Sequence, residues 1–201
     1  DYPEVDIREI WESVVCSLED EGEAMGDVTP ATVQRLALEY ECRVNPTWPM
    51  PELKPTLAAL KENRFVLGLV SNAQFYTPLI LELFDNITGW LDGTFPEDLC
   101  AWSWRLKAGK PSLKLMEFAL GNVKKKHGFE PGQVLYVGND MLKDIMPAAQ
   151  LGCRTVLFAG DAKSLKMREG DPAVQGIQPD AVITALSQLG DVLGITVELP
   201  T

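Results

Sequence analysis

The chain has 201 residues, of which 46% are hydrophobic and 23% are charged, proportions typical of a globular protein with one substantial core. Its 18 Lys and Arg residues against 29 Asp and Glu residues give a formal net charge of -11, so its surface would repel a nucleic acid and we expect no nucleic-acid partner. No apolar run approaches the roughly 20 residues that cross a bilayer, and the sequence starts with an acidic segment rather than a signal peptide. We therefore expect a cytoplasmic protein with no membrane partner.

Two helices are predicted in the N-terminal part of the chain. Asp6 can cap a helix whose apolar residues recur at helical spacing, and this helix should end near Gly22. Thr29 and Pro30 supply the N-cap and the first-turn proline of a second helix. The segment NPTWPMP, residues 45–51, then interrupts the helical pattern.

Beyond this break, amphipathic helices alternate with short apolar strands. The strand-like stretches are FVLGLVSN, QVLYVGN, CRTVLF and PDAVI. Apolar strands that are joined by helices predict a parallel sheet covered on both faces. We expect an α/β fold, with a Rossmann-like open parallel sheet flanked by helices over residues 51–201 and a small α-helical cap over residues 1–50.

The cysteines and the single histidine do not form a metal-binding pattern. No CxxC pair is formed by the four cysteines, Cys16, Cys42, Cys100 and Cys153. His127 lies in a KKKHG stretch that is typical of a solvated helix end. A zinc site is therefore not predicted. Free thiols in a reducing cytoplasm are the expected state.

In open α/β sheets, ligands collect at the carboxyl ends of the strands. Two polar motifs of this chain occupy such ends or the loops beside them. Ser71 and Asn72 follow the first strand, where a hydroxyl and the backbone N–H groups of the turn could hold an anionic oxygen. Lys110 precedes Pro111, which would present the lysine from a defined loop to a phosphoryl oxygen or a carboxylate. For the serine alone an ordinary helix N-cap is the preferred interpretation, and most lysines in such loops are solvated.

The third motif is LYVGNDMLKD, residues 135–144, in which two aspartates follow an apolar strand. Asp144 lies about one helical turn after Asp140, so both carboxylates can face one pocket, and Gly138 allows a close backbone approach. Two carboxylates repel each other unless a positive group separates them, and oxygen ligands favour a hard cation such as Mg²⁺. A helix cap accounts for one aspartate more readily than for both.

Together and in this order, the SN, KP and GND motifs resemble the second, third and fourth motifs of the haloacid dehalogenase-like (HAD) hydrolase superfamily. The resemblance covers essentially the whole chain and implies a HAD-like core with a small cap. It also implies a Mg²⁺-dependent hydrolase of small phosphomonoesters that forms an aspartyl-phosphate intermediate. The implied catalytic residues are Ser71 and Lys110. The implied substrate-binding residues are Ser71, Asn72 and Lys110, and the implied metal ligands are Asp140 and Asp144. The implied partner is a small phosphorylated substrate, and the protein would be a monomer or a homodimer.

The first motif of the superfamily, an apolar strand that ends in Asp-x-Asp, has no match here. The nearest imitation is WLDGT, residues 90–94, but its nucleophile position holds Trp90, and we interpret Asp92 as a turn residue. Loss of this central strand would leave two unpaired strand edges, so we expect the nucleophile upstream of Asp1 and no turnover without it.

Two other functions remain open at this point. A 2-haloacid dehalogenase would use the same scaffold to attack carbon, without a metal; the paired acids at Asp140 and Asp144 favour the phosphatase, because dehalogenation brings no cation to separate them. A non-catalytic HAD-like binding protein would keep the pocket without the nucleophile.

Overall fold

The computed structural model describes residues 2–23, 26, 28–83 and 93–200, which form a mixed α/β protein. The described helices and strands follow in chain order. They are α1 (Ile7–Asp20), α2 (Pro30–Val44), α3 (Leu53–Glu62), β1 (Leu69–Ser71), α4 (Tyr76–Leu83), β2 (Cys100–Trp102), α5 (Ser103–Leu106), α6 (Lys114–His127), β3 (Leu135–Gly138), α7 (Met146–Gln150), β4 (Arg154–Phe158), β5 (Ala181–Ile183) and α8 (Leu189–Leu193).

The N-terminal helices α1 and α2 begin at the capping residues that the sequence indicated. The Asp6 side chain accepts a hydrogen bond from a backbone N–H group in the first turn of α1, and Thr29 does the same for α2. The two helices pack against each other, with the rings of Trp11 and Tyr40 edge to face and their centroids 5.1 Å apart. Both helix predictions are confirmed, whereas the division of the chain into a cap and a core stays a prediction.

The strands form two parallel sheets. β1 pairs with β2, with Leu69 opposite Cys100, and β3, β4 and β5 pair in that order. The predicted α/β class with parallel strands and flanking helices is confirmed, but the described strands do not join into one sheet. The side chains of Lys110 and Tyr136, rather than a backbone ladder, connect β3 to the Val70 carbonyl of β1.

Helices cover the strands on both faces, as the apolar strand patterns predicted. Ala101 of β2 packs with Leu115 of α6, whereas its neighbours Cys100 and Trp102 pack on the opposite face beside Phe95. The central strand of the second sheet, β4, alternates between two apolar clusters in the same way. This alternation follows from the two-residue period of a strand, and it leaves the carboxyl ends of β1 and β3 as the places where polar residues collect.

Three remaining expectations concern Asp92, the cysteines and membrane-spanning helices. Residues 90–92 lie outside the described residues, so the interpretation of Asp92 as a turn residue stays a prediction. The cysteines are free thiols, with Cys100 and Cys153 buried and the other two exposed. Among the described helices, none has the length and apolar character needed to cross a membrane.

Candidate active site

A nearly buried ion pair lies between the carboxyl ends of β1 and β3. The Lys110 ammonium donates to Asp144 Oδ1 over 2.5 Å, and the two side chains are only 11% and 7% exposed. The ammonium also donates to the Val70 carbonyl at 3.1 Å and to the Tyr136 hydroxyl at 3.2 Å, so each of its three protons has an acceptor. The structure therefore brings together two of the residues singled out in the sequence and fixes the position of the lysine charge.

Tyr136 belongs to this cluster, although the sequence analysis did not single it out. Its hydroxyl lies 3.3 Å from Asp144 Oδ1 and 3.3 Å from the Val70 carbonyl. Burial, together with the nearby Asp144 carboxylate, raises the pKa of Tyr136 well above its ordinary value, so the phenol stays protonated. The available sequence signal was its place in β3, two residues before the Gly-Asn-Asp motif.

Two side chains brace the loop that follows β1. Asn72 Nδ2 donates to the Lys110 carbonyl over 3.1 Å, and Asn72 Oδ1 accepts from the Lys110 backbone N–H over 2.6 Å. The buried Ser103 does the same for Ala73, whose N–H donates to Ser103 Oγ at 2.9 Å and whose carbonyl accepts from that hydroxyl at 3.1 Å. Asn72 thus holds the loop of Lys110, and its predicted contact with a substrate stays a prediction.

Ser71 ends β1 and is half-buried. It follows Val70, whose carbonyl binds the Lys110 ammonium. Its hydroxyl makes no hydrogen bond to another residue in the part of the chain that the structure describes. A hydroxyl next to a fixed cation can donate to an anionic oxygen, so the location suits the predicted role in phosphoryl binding, which stays a prediction.

Backbone N–H groups that follow the end of β3 hold Asp144, in addition to Lys110. Its Oδ2 accepts from the backbone N–H groups of Asn139, at 3.1 Å, and Asp140, at 3.0 Å. A Cβ atom added to Gly138 would lie 2.3 Å from Asp144 Cβ, a distance that no side chain tolerates. Glycine is therefore required at position 138 by the close approach that the sequence predicted.

Asp140 binds a different cation. Its Oδ1 caps the turn Met141–Ile145 by accepting from two backbone N–H groups, at 2.9 and 3.1 Å. The Arg168 guanidinium donates from Nε to Oδ1 over 3.0 Å and from its terminal nitrogen to Oδ2 over 2.6 Å. Burial raises the pKa of Asp140, but Arg168 and the backbone donors outweigh it, and the pKa lies below its ordinary value. The carboxylate is therefore charged at neutral pH.

The segment Ser164–Arg168, here called the strap, runs beside the loop that carries Asp140. The Lys166 N–H donates to the Asn139 carbonyl over 2.9 Å, and the Lys166 carbonyl accepts from Met141 over 2.9 Å. The Asn139 side chain donates to the Ser164 carbonyl over 2.7 Å. Arg168, at the end of the strap, has a φ of 58°, in the left-handed region that non-glycine residues rarely adopt. No sequence motif marked this arginine.

The described residues on their own do not fit a magnesium ion. Across residues 2–23, 26, 28–83 and 93–200, no group of three or more His, Cys, Asp or Glu residues could hold a metal. Asp144 and Asp140 each accept four hydrogen bonds, about the full capacity of a carboxylate. Lys110 and Arg168 relieve the repulsion that led the sequence argument to a shared divalent ion. The magnesium site therefore stays a prediction.

A cavity of about 630 Å³ opens beside Asn72. It lies between the end of α2, the linker before α3, the loop after β1 and α4, and its volume is within the range of about 300–1,000 Å³ of small-molecule sites. Its lining includes the apolar and aromatic side chains of Trp48, Met50, Leu53, Tyr76 and Ile80, and the carboxylates of Glu41 and Glu52.

Comparison with known proteins finds similar sequences along part of the chain. A family model described as HAD-hydrolase-like matches residues 107–189, which hold both ion pairs. A phosphoglycolate phosphatase of Haemophilus influenzae is 36% identical over 124 residues, which cover 61% of this chain and 50% of that protein. The phosphoglycolate phosphatase of Vibrio vulnificus is 31% identical over 148 residues, which cover 71% of this chain and 55% of that protein. The chain spans about half the length of the curated relatives it matches.

Solved structures share the fold. The putative HAD-hydrolase YfnB from Bacillus subtilis superposes with a TM-score of 0.60 at 16% identity, over 94% of this chain and 81% of that chain. The family-model match and the phosphatase relatives support a HAD-like hydrolase assignment for the chain. A second HAD-fold neighbour, a 2-haloacid dehalogenase from Pseudomonas syringae, superposes with a TM-score of 0.59 at 23% identity, over 94% of this chain and 72% of that chain. The HAD resemblance that the SN, KP and GND motifs indicated is confirmed.

Proposed function

We propose that the protein is a hydrolase of small phosphomonoesters that acts at the Lys110–Asp144 pair. The observation that carries the proposal is the nearly buried Lys110 ammonium, which Asp144 holds next to the end of β1, where Ser71 lies. A fixed positive charge and a hydroxyl donor at the carboxyl ends of parallel strands can bind a phosphoryl group and stabilise the charge that develops on it. Identities of 31–36% to phosphoglycolate phosphatases support the same class of reaction.

In the proposed reaction, an aspartate attacks the phosphorus atom and displaces the alcohol, and water then cleaves the aspartyl-phosphate to inorganic phosphate. The nucleophile belongs to the first motif of the superfamily, which we expect upstream of Asp1. Lys110 would offset negative charge on the nucleophile and the transferring group, and Ser71 would donate to a phosphoryl oxygen. Asn72 would act by holding the Lys110 loop.

We include Mg²⁺ in the proposal on the strength of the resemblance, with Asp140 and Asp144 as the predicted ligands. A bound divalent ion would supply additional positive charge for the phosphoryl oxygens. Because both carboxylates already bind cations of the chain, no step above depends on the ion.

The cavity beside Asn72 is the proposed site for the organic part of the substrate. Its apolar and aromatic lining favours an alkyl or aryl group. The carboxylates of Glu41 and Glu52 on its wall would disfavour a second anionic group next to the phosphoryl group. We therefore expect aryl phosphates to be better substrates than phosphoglycolate.

A 2-haloacid dehalogenase is the second candidate. The observation that favours it is that each carboxylate has its own organic cation, Lys110 for Asp144 and Arg168 for Asp140. The sequence argument had preferred the phosphatase because paired acids would need a metal. Since the structure relieves their repulsion without one, that preference now depends on the phosphatase relatives.

The deciding experiment uses the complete natural protein, including any residues that precede Asp1. Release of phosphate from p-nitrophenyl phosphate, with and without Mg²⁺, is compared with release of chloride from 2-chloropropionate. We expect phosphate release, and we expect Lys110→Ala to lower kcat by about 100-fold or more, whereas the surface control Lys124→Ala leaves it unchanged. Metal-independent chloride release would assign the dehalogenase, and phosphate binding by calorimetry without turnover would assign a binding protein.

The partners and the location follow from weaker observations and stay part of the proposal. The four free thiols are typical of a protein in a reducing compartment, which supports a cytoplasmic location. A monomer or a homodimer is proposed, and sedimentation equilibrium measures which of the two forms.

A further inference from the structure

The cavity beside Asn72 combines apolar and aromatic walls with carboxylates, a combination that binds organic cations. We propose that this cavity binds a quaternary ammonium group, so that the preferred substrate is a phosphomonoester of a methylated amino alcohol, of the phosphocholine type. The inference rests on the proposed hydrolase for the phosphoryl half of the substrate, but the binding of the cation to the cavity can be measured without turnover.

The charged residues of the cavity wall favour a cation. Glu41 of α2 and Glu52, which precedes α3, both line the cavity and are partly buried. Lys54 is the one ammonium among the lining residues that the structure describes, and it is exposed, so solvent screens its charge more than a charge inside the cavity. The wall therefore carries net negative charge, and a cationic group that enters the cavity is attracted to it.

Other residues of the chain hold both carboxylates in place. Glu41 Oε1 accepts from Asn45 Nδ2 over 2.8 Å, and the Tyr76 hydroxyl is a second hydrogen-bonding neighbour of Glu41. Burial, with Glu41 as a further cause, raises the pKa of Tyr76 to about 12, so the phenol keeps the proton that it donates. Glu52 Oε2 accepts from the backbone N–H of Ser187 over 3.1 Å. The negative charges are therefore preorganised, and part of their hydrogen-bonding capacity is already used.

The remaining wall favours a quaternary ammonium over a primary one. A primary ammonium carries three N–H donors, each of which needs an acceptor, whereas a quaternary ammonium presents only C–H groups. The wall is mainly apolar and includes the rings of Trp48 and Tyr76. Aromatic rings attract cations, and quaternary ammonium ligands are the usual example of this recognition. The cavity therefore fits a group that is charged but has an apolar surface.

Asn72 connects the cavity to the proposed phosphoryl site. Its side chain makes two hydrogen bonds to the Lys110 backbone, and it also lines the cavity. In the proposed complex the phosphoryl group lies at Ser71 and Lys110, and the ammonium lies inside the cavity. Hydrolysis of phosphocholine by one water molecule then gives choline and inorganic phosphate.

The test uses the complete natural protein and two alcohols of nearly the same shape, choline and its neutral analogue 3,3-dimethylbutanol, in which carbon replaces the nitrogen. Each alcohol has a single methyl resonance, and the broadening of this resonance in NMR titrations against the protein gives a dissociation constant. We expect choline to bind at least about tenfold more tightly than the neutral analogue. Ethanolamine, a primary ammonium, should displace choline only at a higher concentration than unlabelled choline needs.

Three variants locate the bound cation. Glu41→Gln and Glu52→Gln each remove a charge from the cavity wall and keep the shape of the side chain. Each should weaken choline binding by about two- to fivefold, as expected for a partly exposed ion pair. Glu12→Gln removes the same charge from an exposed position of α1 that does not line the cavity, and it should leave choline binding unchanged. Circular dichroism checks that the variants are folded, and the comparison of the two alcohols needs no variant.

Three results would overturn the inference. The first is equal affinity for choline and the neutral analogue, including the case in which neither binds. The second is an equal loss in Glu12→Gln and in the two cavity variants, because the attraction would then come from the net charge of -11 of the whole chain. The third is displacement of choline by ethanolamine at a lower concentration than unlabelled choline needs, which would assign a primary ammonium.

Release of phosphate from phosphocholine tests the proposed hydrolase separately. Choline binding without phosphate release from any ester would support the cavity assignment and contradict the hydrolase. Phosphate release from aryl phosphates without choline binding would support the hydrolase and contradict the cavity assignment.

Discussion

Replacement of Asp144 by asparagine would leave the Lys110 ammonium nearly buried with only neutral acceptors, the Val70 carbonyl and the Tyr136 hydroxyl. The new side chain has the shape of the old one but carries an N–H donor. Asp144 accepts from donors on both of its oxygens, so the amide must direct its own donor at one of them. The substitution therefore removes the charge partner and creates a donor–donor contact.

The expected loss follows from the burial of the pair. Removal of one partner from a buried ion pair costs about 3–5 kcal/mol, and the low exposure of Lys110 and Asp144 leaves little screening by solvent. We expect Asp144→Asn to lower the free energy of unfolding by about 3 kcal/mol or more. The double variant Lys110→Met/Asp144→Asn removes the stranded charge as well, so it should be more stable than the sum of the two single losses by at least about 1 kcal/mol.

Urea denaturation, followed by circular dichroism at pH 7, measures these free energies. The control is Lys124→Met, which breaks the exposed pair of Lys124 with Glu130 and should cost less than about 1 kcal/mol. The reasoning fails if Asp144→Asn costs no more than Lys124→Met, or if the double variant is simply additive.

Three further outcomes are expected. Gly138→Ala should lower the free energy of unfolding by about 1–3 kcal/mol, because its Cβ would lie 2.3 Å from Asp144, whereas Gly132→Ala, where the nearest atom is 3.9 Å away, should change the thermal midpoint little. Since the pKa of Asp140 is lowered in the folded state, its stabilising contribution is present above the unfolded-state pKa of about 3.9 and is lost as the pH falls through the folded-state value. The free energy of unfolding should therefore fall more steeply below about pH 4 for the wild type than for Asp140→Asn. Parallel curves for the two proteins would contradict this. Ile80→Ala should raise KM for an aryl phosphate by about 3–10-fold through lost apolar contact without changing inhibition by inorganic phosphate, and equal changes in both constants would remove the cavity from the substrate site.

Local signals in the sequence predicted most of the secondary structure. Asp6 and Thr29 mark the helix starts because an N-cap acts on backbone groups two or three residues away. The same holds for the β3 motif, where Gly138 and Asp144 lie only six residues apart in the sequence. Lys110 and Asp144 were both expected near the carboxyl ends of the strands, but their direct ion pair was not predicted.

The parts that sequence reasoning missed depend on contacts between distant residues. Arg168 reaches Asp140 across 28 positions, from a loop with no helical or strand period, so no pattern identifies it. Asn72 bonds to the backbone of Lys110 across 38 positions, and a backbone partner leaves no trace in the sequence. The pairing of the strands into two sheets is equally non-local, since apolar strands of similar composition carry little information about their neighbours.

The bracing of the loop after β1 bears on the thermodynamics of ligand binding. Beyond the last residue of β1, the side-chain amide of Asn72 and the hydroxyl of Ser103 make hydrogen bonds to the backbone in place of the backbone pairs of a sheet. Fixing a residue in one conformation costs about 1–2 kcal/mol of entropy at room temperature, and here the chain meets that cost when it folds. A ligand that arrives at Ser71 therefore encounters a preorganised loop, and more of its interaction energy remains available as affinity.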